Sequence, residues 1–131
     1  MESIRIEKTH KTPLFILKDG YIRVSGRSIP QNAKQLYQIC NDWVEQYVRA
    51  PAKETTIDLF FEYIDTSSTR CLVDILSIIC EKSQDNDHQV RINWYYENDD
   101  DDSLDLGEYI KMHLKVPFEL IPVEEGEEIP E

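Results

Sequence analysis

The chain has 131 residues, 40% of them apolar and 31% charged, with a formal net charge of −12. That length suits one domain burying about two thirds of its extended-chain surface; it is too short for two ordinary domains and too apolar for disorder throughout. Residues 1–34 hold seven basic and three acidic groups, and residues 35–131 hold seven basic and 23 acidic ones. A surface so acidic repels phosphate backbones and anionic lipid, which argues against nucleic-acid and membrane roles and favours a protein partner with a basic face.

The opening, MESIRIEKTHKTP, contains no apolar stretch of the kind a secretory signal needs, and the longest apolar runs are far too short to span a bilayer. Cys40, Cys71 and Cys80 form no CxxC pair and lie in apolar segments, so they read as reduced structural thiols of a cytoplasmic protein. Cys71 lies near a helix start, where a thiolate is favoured.

In chain order, Leu14–Lys18 and Tyr21–Ser25 flank Asp19-Gly20, which predicts a β-hairpin. Residues 26–31 read as an irregular connection. Asn32 then caps a helix whose Leu36, Cys40, Trp43, Val44 and Tyr47 recur at spacings of three and four, with Pro51 at its stop. Thr56–Tyr63 predicts a strand with Ile57, Leu59 and Phe61 on one face. The hydroxyl-rich run Asp65-Thr66-Ser67-Ser68-Thr69 precedes a helix with the stripe Leu72, Ile75, Leu76 and Ile79. Ser83–His88 reads as a polar turn and Val90–Tyr96 as an alternating strand. Residues 97–102 read as an acidic loop, Ser103 as the cap of a helix over Leu104–Leu114, and Phe118–Val123 as an edge strand. The order β-β-α-β-α-β-α-β predicts an α/β fold with a single mixed, largely parallel sheet. Three helices can cover one face and leave the other partly open, with Phe60, Tyr63 and Tyr95 on the open side. Residues 1–123 form the domain on this reading, and 124–131, with five acids and one Pro, a disordered tail.

The junction 61–72 is the first place to look for function, because ligands and regulatory groups gather at the carboxyl ends of strands in α/β sheets. A helix N-terminus receives a phosphate well, and four consecutive hydroxyl residues exceed what one cap needs. Residue chemistry alone ranks a capping cluster first, a phosphorylation site second and a serine nucleophile last, since no GxSxG elbow is present. The acidic run at 97–102 lacks the Gly and Glu of an EF-hand, for which Leu104 and Ile110 stand when counted from Asp99. No zinc-ligand spacing, GxGxxG or GxxxxGK[ST] occurs, so neither a metal nor another cofactor is expected, and no catalytic constellation assembles.

Several blocks together are specific: Thr12-Pro13; Gly26-Arg27-Ser28 with Pro30 and Asn32-Ala33; Pro51-Ala52; and Tyr63-Ile64-Asp65-Thr66-Ser67-Ser68. Asn93-Trp94-Tyr95-Tyr96-Glu97 with the acidic run, and Leu114-Lys115-Val116-Pro117-Phe118, complete the set. The chain resembles the STAS-like domains of anti-sigma factor antagonists and, more closely, the bacterial SiaC family of regulatory phosphoproteins. The resemblance implies a non-enzymatic switch, phosphorylated on the threonine of the TSS motif by a kinase with a histidine-kinase-like ATPase domain. It also implies reversal by a metal-dependent serine/threonine phosphatase, and binding of the unphosphorylated form to a diguanylate cyclase, promoting cyclic-di-GMP synthesis and influencing biofilm formation. Carried over, the acceptor is Thr66. The docking surface expected from it comprises Tyr63, Asp65, Thr66, Ser67, Ser68 and Arg70, joined by Asp99, Asp100, Asp101 and Asp102. Family members commonly carry Asn before the threonine; Asp65 stands here, as in the anti-sigma antagonists. The alternatives are an acidic binding module that works without phosphorylation, or an anti-sigma-antagonist-like regulator of a different partner.

Overall fold

A computed structural model describes residues 1–82 and 87–131, so residues 83–86 of the polar turn expected at Ser83–His88 lie outside the described residues. Six strands and three helices follow in the order β1 (Ile4–Ile6), β2 (Leu14–Lys18), β3 (Tyr21–Ser28), α1 (Ala33–Tyr47), β4 (Glu54–Ile64), α2 (Thr66–Lys82), β5 (Gln89–Glu97), α3 (Asp101–His113) and β6 (Phe118–Val123). The strands lie side by side in sequence order; β1, β2 and β3 are antiparallel, and β3 to β6 are parallel. Right-handed crossovers that always step to the next strand in one direction must place every helix on the same face. The mixed, largely parallel α/β sheet expected from the pattern is therefore present, with β1 as an additional edge strand.

Register shows how the faces divide. Leu17, Ile22, Ile57, Ile92 and Phe118 align across the sheet, as do Phe15, Val24, Leu59, Trp94 and Leu120 in the next row. These residues meet Tyr37, Cys40, Trp43 and Val44 of α1 and Leu72, Ile75, Leu76 and Ile79 of α2 in one core. Helix α3 adds Ile110 and approaches closely at Gly107, where a Cβ would lie 2.6 Å from Trp94 Cδ1. Trp94 Nε1 donates to Ser103 O at 3.0 Å, fixing this helix over β5.

Among the described residues, the other face carries no helix. Phe60 and Tyr95 lie on it, with ring centroids 6.3 Å apart. Strict alternation with Ile57, Leu59 and Phe61 would put Tyr63 on the helix-covered face, but the β3–β4 register slips between Gly26 and Arg27 so that Tyr63 pairs with Arg27; it stays exposed near the carboxyl end of β4, where it lines a groove with Asp100, Asp102 and Leu106. Buried Asp58 accepts from Tyr21 Oη at 2.8 Å and Asn93 Nδ2 at 2.9 Å, so its carboxylate is satisfied in mid-sheet.

The terminal segment departs from the disordered tail its composition suggests. Ile129 is 5% exposed, its carbonyl accepts from Arg23 Nη1 at 3.0 Å, and the Glu131 carboxylate takes two hydrogen bonds from Arg5, at 2.9 and 3.0 Å. One isoleucine among five acids is enough to fold the segment back because a bare sheet face lies beside it.

The amino end of the sheet is closed. Tyr47 Oη accepts from Gly20 N at 3.0 Å and Ala52 N at 3.3 Å and bonds Thr55 Oγ1 at 2.7 Å, which in turn meets His88 Nε2 at 2.9 Å.

Candidate functional site

Strand β4 ends at Ile64, and Asp65 N donates to Ser28 O at 3.0 Å, continuing the ladder by one step. Asp65 is the cap of α2: its Oδ1 accepts from Ser68 N at 2.8 Å, and its carbonyl accepts from Thr69 N at 2.9 Å. The helix thus begins at Thr66, inside the hydroxyl run that the sequence presents as a turn. Ser and Thr are indifferent helix formers, but a capping Asp immediately before them settles where the first turn starts.

The helix sorts its four hydroxyl residues by accessibility. Ser68 is 0% exposed and accepts from Ser28 Oγ at 2.8 Å. Because Ser28 spends its only proton there, the 2.8 Å contact between Ser28 Oγ and Tyr37 Oη has the tyrosine donating. Burial raises the pKa of Tyr37, which keeps that donor protonated. Thr69 Oγ1 donates back to Asp65 O at 2.9 Å. Thr66 and Ser67 are exposed, as is Arg70. A first-turn backbone offers N–H groups without intrahelical partners beside these two hydroxyls.

The acidic run is brought to the same rim because β5 is the neighbour of β4. It is only partly a loop. Asp100 Oδ1 accepts from Ser103 N at 3.0 Å, so Asp100 caps α3 in place of Ser103, and Asp101 and Asp102 occupy the first turn. Carboxylates there oppose the positive end of the helix dipole, which makes three of the four aspartates structural as well as superficial. Phe61, Tyr63, Ile64 and Leu106 line a groove with Asp100 and Asp102, and Tyr63 is 54% exposed. Glu97 nearby has a raised pKa, through loss of hydration and then the charges of Glu125, Asp99 and Asp100.

Cys71 is half-buried just past the first turn, and its thiol is pushed up by desolvation and by Asp74. It is therefore not the activated thiolate that a helix start would favour. Burial raises Cys40 and Cys80 to about 12. Among the described residues no group of three or more His, Cys, Asp or Glu is arranged to hold a metal ion. His88 lies at the opposite end of the sheet, bonded to Thr55 and far from the hydroxyl run in the fold.

Residues 6–123 match the profile of the SiaC family of regulatory phosphoproteins. The chain belongs to that family. An uncharacterized protein of Pseudomonas aeruginosa strain UCBPP-PA14 is 27% identical over 120 residues, covering 90% of this chain and 94% of the relative. SiaC of Pseudomonas aeruginosa superposes with a TM-score of 0.85 at 26% identity, covering 94% of this chain and 100% of SiaC. SiaC in its complex with the diguanylate cyclase SiaD, of which it is the activator, superposes at 0.83 with 27% identity, covering 92% and 99%. The family is one of regulatory phosphoproteins, and this chain shares its STAS-like mixed sheet.

For a SiaC-family chain, the support beneath the exposed hydroxyls is as informative as the hydroxyls themselves. Ser28 and Tyr37 escaped the sequence reading as site residues. Gly26-Arg27-Ser28, which reads from the sequence as part of an irregular connection, is the end of β3, with Gly26 at φ +114.

Proposed function

We propose that this protein is a phosphorylation-controlled regulator of a diguanylate cyclase, docking its partner through the carboxyl rim of the sheet while Thr66 is unmodified. The observation that carries the reading is the sorting of the hydroxyls: Ser68 is locked in the core by Ser28, whereas Thr66 stands exposed in the first turn of α2. A kinase can reach Thr66 without unfolding the helix. Tyr63, Asp65, Ser67 and Arg70 surround it, and Asp99 to Asp102 extend the same rim. The structural likeness to SiaC bound to the cyclase it activates supports the choice of partner.

Phosphorylation adds about −1.5 to −2 charge and three acceptor oxygens. Within the domain the added group meets first-turn N–H groups, worth about 0.3–1 kcal/mol and partly offset by Asp65. In a docked complex the same group is stripped of water, at a cost of several kcal/mol unless a matching donor receives it. The interface term wins, so the fold persists and the complex dissociates. A kinase with a histidine-kinase-like ATPase domain and a metal-dependent serine/threonine phosphatase complete the cycle.

Intact-mass analysis of the protein from its native host, with and without phosphatase, tests the chemistry. The expected result is a phosphoryl-sized mass difference that fragment spectra place on Thr66. Phosphate confined to Ser67, or no phosphoform under any growth condition, would overturn it.

A further inference from the structure

The helix-free face of the sheet is not empty. The segment after β6 turns at Gly126, whose φ is +78, and Glu127 N donates to Glu124 O at 3.0 Å within that turn. It then runs back over the face towards β1, where Arg5 receives Glu131. Three features make this a seated peptide rather than a continuation of the fold. It makes no strand pairing, and its apolar anchor is one side chain, Ile129. Its polar anchors are two cations of the face itself: buried Arg23, which holds the Ile129 carbonyl, and Arg5, which holds the Glu131 carboxylate. Beneath it lies a cavity of about 350 Å³, walled by Leu14, Ser25 and Phe60 on the sheet side and by Glu127 and Ile129 on the other.

We infer that the open face is a docking surface for an extended acidic segment with one branched apolar anchor, and that the chain's own residues 124–131 are its resident, displaceable occupant. The seated segment itself defines the class of ligand. Arg5 receives its carboxylate and buried Arg23 its backbone carbonyl, while over the rest of the cavity Arg5, Lys8 and Arg23 are matched by Glu7, Glu62 and Glu97. Holding is loose by construction. The Arg5–Glu131 pair is about half exposed on both sides, where water and salt weaken it, and Glu7, Glu62 and Glu97 share the cavity with Glu127, Glu128 and Glu131 of the segment, all of like charge. A tethered segment nevertheless outcompetes a free one through its high effective concentration. The face is thereby reserved for a partner segment that binds better than the tail or arrives when the tail is released.

Nuclear magnetic resonance of the full-length, 15N-labelled chain tests this, with a synthetic peptide of the sequence of residues 124–131 as probe. In the unaltered chain the amides of 127–131 should show heteronuclear NOE values close to those of the sheet. Ile129→Asp should release them and shift amides of Arg23, Ser25 and Phe60 while leaving those of α1 and α2 in place. Ile129→Ala should do the same to a smaller extent. Added in the millimolar range, the peptide should return the open-face shifts of the Ile129→Asp chain towards those of the unaltered chain, and should leave the unaltered chain unmoved. A tail already mobile in the unaltered chain at low salt would overturn the inference. So would released variants whose open-face shifts the peptide does not move.

Discussion

The two ends of the sheet are built from the same kinds of residue and put them to opposite uses. At the amino end, Tyr47, Thr55 and His88 form a buried chain of hydrogen bonds that also takes up the N–H groups of Gly20 and Ala52. At the carboxyl rim, Ser28, Tyr37 and Ser68 form a similar buried chain, but Thr66 and Ser67 remain uncovered, and Asp99 to Asp102 follow the neighbouring strand β5 on the same rim. A hydroxyl in this fold is therefore not informative by type or by spacing. What distinguishes a structural hydroxyl from an accessible one is whether neighbouring residues close over it. Gly20, Ala52 and His88 close over Tyr47 and Thr55; the rim is left open where β4 hands over to α2.

Breaking the closed end should cost stability and nothing else. Tyr47→Phe removes the acceptor of two backbone N–H groups and the partner of Thr55. Stranded buried donors cost about 1–3 kcal/mol each, so chemical denaturation should show a loss of roughly 2–4 kcal/mol, with partner affinity unchanged in the folded fraction. A stable Tyr47→Phe protein would mean that the network is ornamental.

A smaller effect is expected where α3 rests on the sheet beside the rim. Gly107→Ala gains about 1 kcal/mol of helix propensity, but its Cβ would lie 2.6 Å from Trp94 and 2.8 Å from Leu120 Cδ2. Overpacking costs about 1–3 kcal/mol, so a modest net loss is expected, accompanied by a change in Trp94 fluorescence as α3 shifts. Unchanged emission with raised stability would show that the contact relaxes without moving the helix.

Much of this layout is legible in the chain. Asp19-Gly20 announces the hairpin, alternation through Ile57, Leu59 and Phe61 announces a strand, and the stripe Leu72, Ile75, Leu76 and Ile79 announces α2. The parts that escape are those decided by long-range contacts. Ile4-Arg5-Ile6 is too short to show alternation and is a strand only because Phe15 and Leu17 are there to pair with it. The tail is acidic enough to read as disorder, and only an uncovered sheet face gives Ile129 a place. Alternation with Ile57, Leu59 and Phe61 would place Tyr63 on the helix-covered face, and the register slip that pairs it with Arg27 instead leaves no mark in the pattern. At the candidate site, the choice of Thr66 as acceptor rests on the resemblance. The separation of exposed Thr66 from buried Ser68 awaited the helix start, which rests on the Asp65 cap.

The smallest effect concerns encounter with a partner. Asp100 caps α3 and Asp101 and Asp102 sit in its first turn, so neutralising all four aspartates would weaken the helix as well as the rim charge. Asp99→Asn alone separates the two roles. This variant should keep its melting temperature within a few degrees, associate with the partner up to about twofold more slowly at low salt, and lose part of its salt dependence. Identical association kinetics would reduce the acidic rim to a solvated connector.

The switch itself is tested most directly by calorimetric titration of a candidate diguanylate cyclase with the unmodified protein, the Thr66-phosphorylated protein and Thr66→Ala, each checked for folding by circular dichroism. The account predicts tight binding by the unmodified form and by Thr66→Ala. It predicts at least a tenfold loss on phosphorylation, about 1.4 kcal/mol or more, with the circular dichroism spectrum unchanged. Equal affinities for the two natural forms, or tighter binding by the phosphorylated one, would contradict it.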